Sequence, residues 1–233
     1  ERREGRAREE GAVEVGPDGG VGGGAQAGGK TERAVRGLGG EDGASANAVA
    51  ACDRLLMLAP NDHRAYYRKG WLQFGRGGHD GAANSLRQAL LLNPNDVLVQ
   101  GVNGVVQASR GASERAMAAA DEAVAMAPGH VFIAWAYHAM HVAHFTRDEH
   151  GKGLHWAEKL GPRERTVPGL AVMGVASYAA AGKRRQAGAA FRRLQARAPH
   201  YVAAYLSRRR QPFKFAYDNE RMLKALELAK RAA

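Results

Sequence analysis

The sequence predicts an all-α solenoid of antiparallel helix pairs closed by a C-terminal capping helix. Two observations carry this. Pro60, Pro94 and Pro128 stand 34 residues apart. Small residues also recur at fixed offsets before each proline: Gly70 and Gly104 lie 24 before, Ala82 and Ala116 lie 12 before, Ala89 and Ala123 lie 5 before. A fixed period of this length means stacked units, each one supersecondary element. Each unit reads as two helices joined by a short turn near Gly77 or Gly111. Gly70 faces Ala82 at the tight crossing, and Leu86 with Ala89 packs against the next unit. Proline ends the second helix because it lacks the helical N–H. Asn93-Pro94-Asn95-Asp96 signals a turn and offers an N-cap to the helix that follows.

Before the first full unit, Ala48, Cys52 and Leu55 stand at the same offsets from Pro60. Residues 44–58 therefore read as a second helix without its partner, with Cys52 in an apolar interface. As the single cysteine, it excludes an internal disulfide and Cys-rich zinc patterns. The third unit admits two registers. Pro162 continues the 34-residue step but sets His138 against His150 at the tight crossing. Counting back 34 from Pro199 makes Arg165 the equivalent position, pairs His141 with Gly153, and places Ala157 and Leu160 at the interface. The second register is preferred. It makes the third unit 37 residues long, with three extra residues near 129–134, and gives the fourth unit Val175, Ala187, Phe191 and Leu194 at the expected offsets.

After Pro199 the pattern changes. Residues 200–209 read as a short helix and Gln211-Pro212-Phe213-Lys214-Phe215 as an extended turn. Asp218 or Asn219 is expected to cap a final amphipathic helix over 220–231, with Met222, Leu223, Leu226 and Leu228 as its apolar residues. The expected organisation is a Gly-rich disordered segment over 1–43, a half repeat plus four repeats over 44–199, and capping helices over 200–233.

Residues 1–43 hold 14 of the 30 glycines and few large apolar residues, so little could be buried in return for ordering them. A short helix is expected only over 30–38. Gly24 to Thr31 matches the G-x-x-x-x-G-K-[ST] pattern of a phosphate-binding loop, which would use Lys30 on phosphates and Thr31 on Mg²⁺. The match lacks a preceding buried strand, a surrounding parallel sheet and a second acidic metal ligand. A nucleotide-binding enzyme through 24–31 stands as an alternative reading only.

The net charge of +11 sits at one end: residues 163–233 carry 16 Lys+Arg against 4 Asp+Glu, and the remainder 18 against 19. A polyanion-binding protein using this basic third is a further alternative. Nucleic acid is not the expected partner, because no aromatic interleaving or recognition motif accompanies the charge. No run of about 18 apolar residues is present for a membrane span. The opening residues lack the apolar stretch of a secretory signal, so a cytoplasmic setting is expected.

The period and its small residues are the signature of the tetratricopeptide (TPR) repeat. Ala143-His144-Phe145, followed by Leu154-His155-Trp156-Ala157-Glu158, resembles a stretch in the C-terminal TPR region of bacterial class III adenylate/guanylate cyclases and related winged-helix transcriptional regulators. The extra length of the third unit is similar too. So is the tail, from Tyr205 through Pro212-Phe213 to Glu220-Arg221-Met222-Leu223-Lys224. The resemblance covers roughly 45–230. Arg165 replaces the family's usual proline, and Lys230-Arg231 replaces its terminal Gly-Leu. The cyclase and DNA-binding domains are not in these residues, so no catalytic activity is carried over.

In such arrays the first helix of each unit lines a concave groove that holds an extended peptide or a helix. The register places Arg64, Tyr67, Trp71 and Phe74 inward, then Leu98, Gly101, Val105 and Ala108, then Trp135, His138, Val142 and Phe145, then Gly169, Val172, Ala176 and Ala179. Trp, Tyr and Arg are the usual anchors of a protein partner. The groove lacks the Lys/Asn set that clamps a chaperone tail. Self-association is left open. Among His138, His141, His144, His150 and His155, the three on the first helix are read as spread around its circumference, with no carboxylate or cysteine at ligand spacing. No metal or other cofactor is expected, and Asp121, Glu122, Asp148 and Glu149 are read as solvated. The expected function is a non-catalytic interaction scaffold.

Overall fold

In a computed structural model the structure describes residues 42–161 and 167–233. The phosphate-loop match, the 30–38 helix and residues 1–41 of the segment expected to be disordered over 1–43 lie outside the described residues, as does Arg165; residues 42 and 43 instead open the first helix. Among those described there are eleven helices: α1 Asp42–Leu58, α2 His63–Gly75, α3 His79–Leu92, α4 Val97–Ser109, α5 Ser113–Met126, α6 Ala134–Thr146, α7 His150–Leu160, α8 Pro168–Ala180, α9 Arg184–Arg197, α10 Pro199–Leu206 and α11 Ala216–Arg231. They pack in pairs as a TPR-like solenoid, and no strand occurs among them.

The turn between the helices of a pair follows one pattern four times. Gly77, Gly111, Asp148 and Gly182 take a left-handed backbone at φ 78°, 79°, 60° and 73°. The following N–H reaches back to the carbonyl five residues earlier: Gly78 to Gln73, Ala112 to Gln107, Glu149 to His144 and Lys183 to Tyr178, each at 2.8–2.9 Å. This C-cap satisfies carbonyls that the helix end orphans. Glycine takes it without steric cost in three units, and aspartate is among the few other residues that tolerate it. The steps between the four positions are 34, 37 and 34 residues. The longer third unit is therefore real, and its extra residues form the turn at 129–133 that precedes α6.

Asp96 caps α4 as expected, and Asp62 caps α2 in the same way, their carboxylates accepting from the N–H groups two and three residues on. The tight crossings also fall where the offsets place them. A Cβ on Gly70 would stand 3.1 Å from the Ala82 carbonyl oxygen and 2.9 Å from Leu86 Cγ. On Gly153 it would stand 3.3 Å from His141 Cδ2, which supports the second register. Ala48 and Cys52 on α1 bury against Leu72 of α2, and burial pushes the Cys52 thiol pKa up.

The C-terminal end differs from expectation. The short helix is Pro199–Leu206 instead of 200–209. Arg208, at φ 60°, breaks it. The last helix begins at Ala216, a turn earlier than read, because Asn219 does not cap it. The Asn219 side-chain amide instead folds back on Phe213 and Phe215. Met222, Ala225, Leu226 and Ala229 bury in a core shared with α8 and α9, and Leu228 stays half exposed. Thus α11 covers the last pair where a further unit would otherwise stack.

Gly104→Ala would put a methyl 2.7 Å from Ala139 Cβ and 3.2 Å from the Ala116 carbonyl, where nothing flexible can yield. Such overpacking costs about 1–3 kcal/mol, so the thermal midpoint by circular dichroism should fall by several degrees. Gly129→Ala, with open space around it, should leave the midpoint in place.

Candidate partner-binding face

The first helices of the units, α2, α4, α6 and α8, set the inner face. Of the ten residues read as partner-contacting, Arg64 is exposed, and Tyr67, Phe74, Leu98 and Trp135 are partly buried. Trp71, Val105, His138, Val142 and Phe145 are buried. The ten do not form one open surface.

Tyr67, Phe74, Leu98 and Trp135 pack against the apolar cluster that contains Trp71. The Trp71 ring meets Phe74 at 5.7 Å and the edge of Trp135 at 5.1 Å. That second contact joins the first unit to the third across α4. Gly101 on α4 permits it, since a Cβ there would stand 2.7 Å from Trp135 Cβ and 2.9 Å from the Ala136 nitrogen. Phe74 in turn meets His79 in a T-shaped contact at 5.6 Å. The result is an aromatic nest with partly exposed rims at Tyr67, Phe74, Leu98 and Trp135. Burial raises the Tyr67 hydroxyl pKa to about 12, with Asp96 adding to the shift, so the phenol stays neutral and can donate. Trp71 Nε1 is buried and finds no acceptor among the described residues, which makes Trp71 a core residue that carries a cost.

Further along, the inner face is covered. Phe213, from the connection between α10 and α11, stacks on Phe145 at 5.7 Å with an interplanar angle of 9°. The Arg221 guanidinium lies over the Phe145 ring, 5.2 Å from its centroid, and donates to the Phe145 carbonyl. Arg221 also pairs with Asp148 at 2.8 Å and Asp218 at 3.1 Å. Burial raises the Asp218 pKa, against the lowering by Arg221. Val172, Ala176 and Ala179 of α8 share a core with Met222 and Leu226 of α11, and Gly169 meets the Tyr201 hydroxyl. Sequence reasoning missed Pro212, Phe213 and Lys214, and with them His79 and Asp80. The only sign of them was two phenylalanines alternating in a stretch with no helical period.

The third-unit histidines are not spread around the helix. His138 is buried and His141 fully so, and their rings meet edge-on at 6.3 Å. His141 Nε2 lies 2.7 Å from Ser177 Oγ of α8. Burial lowers the His138 pKa to about 4. Burial, helped by His138, His144 and His150, lowers that of His141 to about 3. His144 hydrogen-bonds Glu149 at 2.7 Å and, more than Lys152, holds that carboxyl below its ordinary pKa. Asp148 and Glu149 are thus partnered rather than merely solvated.

No family model matches the chain, and no curated protein matches it. Among solved structures it is similar to the crystal structure of PilW, described as a widely conserved type IV pilus biogenesis factor, with a TM-score of 0.60, 18% identity, and 89% of this chain and 90% of that chain covered. At this identity the likeness shows the helical-repeat fold. The resemblance to cyclase-linked arrays rests on the residues quoted for it. No described helix is long and apolar enough to cross a membrane.

The buried histidines predict acid sensitivity. Both are neutral when folded, so above pH 6.5 they cost nothing extra. Below it the unfolded chain takes up protons that the folded chain refuses until about pH 4 at His138 and about pH 3 at His141. Stability is therefore lost as pH falls through this window, by at most about 1.4 kcal/mol per pH unit per histidine. His138→Leu should lower the midpoint of acid unfolding followed by circular dichroism. An unchanged or higher midpoint would count against this account.

Proposed function

We propose that the chain is a non-catalytic protein-interaction scaffold whose inner face holds an extended peptide or a helix of a partner protein at Arg64, Tyr67, Phe74, Leu98 and Trp135. The observation that supports it most is the aromatic nest. Three helices hold partly exposed rings and an apolar rim in place before any partner arrives, which lowers the ordering cost of binding. Trp71, Val105 and His138 pack beside or beneath these rings, whereas Val142 and Phe145 lie in the core with Phe213 and α11. The repeat fold shared with PilW fits a scaffold. The cyclase-like stretches at 143–158 and 205–226 favour a regulatory, cytoplasmic role beside a signalling domain.

Tyr67→Ala and Leu98→Asp should leave helicity unchanged and weaken capture of the partner retained by the intact chain at least tenfold, a loss of about 1.4 kcal/mol. Full affinity in both folded variants would remove the inner face from the reading. Trp71→Ala is the poorer probe, because a buried tryptophan costs about 3–5 kcal/mol of stability when truncated.

A second reading draws on α9. Lys183, Arg184, Arg185, Arg192 and Arg193 are exposed at or beside this helix, which contains no acidic residue. Arginine forks suit phosphate. Binding to a generic polyanion such as heparin should then fall steeply with salt, and Arg185→Glu with Arg193→Glu should abolish it. Binding that ignores salt would dismiss this surface.

A further inference from the structure

Residues 207–215 connect α10 to α11, and they do not take the short route. They run back over the turns between the paired helices of the first three units, touching positions 133 and 134 residues away in the chain. The Lys214 N–H donates to the Ser109 carbonyl at the end of α4, at 2.8 Å. The Lys214 ammonium donates to both carboxylate oxygens of Asp80 at 2.9 Å. Asp80 also accepts from Arg110, and these partners lower its pKa, the Lys214 hydrogen bond most. His79 Nε2 lies 3.0 Å from the Pro212 carbonyl. Phe213, 2% exposed, fills the slot over Phe145. The Phe215 ring covers Gly111, where a Cβ would stand 2.8 Å from Phe215 Cε2.

This is how an extended peptide is read: a main-chain bond to fix register, an aromatic in a slot and a cation on a carboxylate. We propose that the turn edge formed by Asp80, Ser109, Gly111 and Phe145 is a binding site for an extended aromatic–Lys/Arg–aromatic segment of a partner protein, and that residues 212–215 fill it in cis. The site borders the aromatic nest at His79, which touches both Phe74 and the Pro212 carbonyl, but shares none of the residues proposed to hold a partner there.

The segment in place shows what the site selects. It also holds on as a ligand does. One side chain is buried, Phe215 is half exposed, and the Lys214–Asp80 pair is open to water, where ion pairs contribute little. The Asn219 amide, which accepts from the Phe213 N–H and donates to the Phe213 and Phe215 carbonyls, helps keep the segment seated, and its tether to α10 and α11 adds an effective concentration roughly in the millimolar range. An incoming peptide of the same chemistry must overcome that tether, so loosening the strap exposes the site.

A fluorescein-labelled peptide of residues 207–217 can be titrated against the full chain by anisotropy. Phe213→Ala with Lys214→Ala should bind it at least tenfold tighter than the unaltered chain. Adding Asp80→Lys should remove most of that gain, and a peptide with both phenylalanines changed to serine should not bind. A helical double variant that binds no tighter overturns the proposal. If Phe213→Ala costs helicity, Lys214→Ala alone, an exposed position, should still bind about threefold tighter, and no gain there overturns it equally. Tyr67→Ala and Leu98→Asp should leave peptide affinity unchanged, which separates this site from the inner face. A concentration-dependent dimer of the unaltered chain, dissolved by the peptide, would make a second copy the occupant and overturn the assignment to a partner.

Discussion

At Gly104 the α4 backbone comes so near α6 that one added carbon would meet Ala139, and near enough to α5 that it would press on the Ala116 carbonyl. Close approach of backbones through missing side chains governs the whole array. It allows α4 to touch both its own partner α5 and the next first helix α6, so apolar surface is buried between units as well as within them. The same device at Gly101 lets Trp135 reach Trp71 over an intervening helix. The aromatic nest is thus a consequence of packing geometry across three units rather than a property of any one.

The third unit shows what happens where that regularity is relaxed. Its left-handed turn uses aspartate, and Asp148 then serves twice, holding the turn and pairing with Arg221 of α11. Arg221 reaches the carbonyls of Phe145 and Thr146 at the exposed end of α6, where a cation is favoured by the helix dipole. The turn chemistry of this unit and the docking of the last helix are therefore coupled through one guanidinium. Two buried histidines sit in the same unit with ring nitrogens Nδ1 lacking partners among the described residues. The other units place Tyr67, Gly101 and Val172 where His138 stands and Gly70, Gly104 and Val175 where His141 stands.

A solenoid must end its stack without leaving an apolar face open. Here α11 covers the last pair, and the connection leading to it covers turn edges belonging to earlier units. The C-terminal segment thus links the fourth unit to the first and second, and gives a quasi-linear array a long-range closure. Part of the surface that a regular array would offer to partners is taken by the chain itself, which divides the molecule into an accessible nest and a self-occupied edge.

Periodic features were legible in the residue order alone. The 34-residue step, the 37-residue third unit, the Asp96 cap, the tight crossings and the buried Cys52 all follow from local preferences and from offsets that one hairpin repeats to the next. The choice between inward and buried was not legible. Register assigns a side chain to a helix face, but whether Phe145 or Val142 meets solvent depends on what lies over that face. The cover comes from Phe213 and α11, more than sixty residues onward, in a stretch with no period to read. Helix pairing is decided by neighbours in sequence, whereas exposure of the site is decided by distant contacts that only the folded chain brings together.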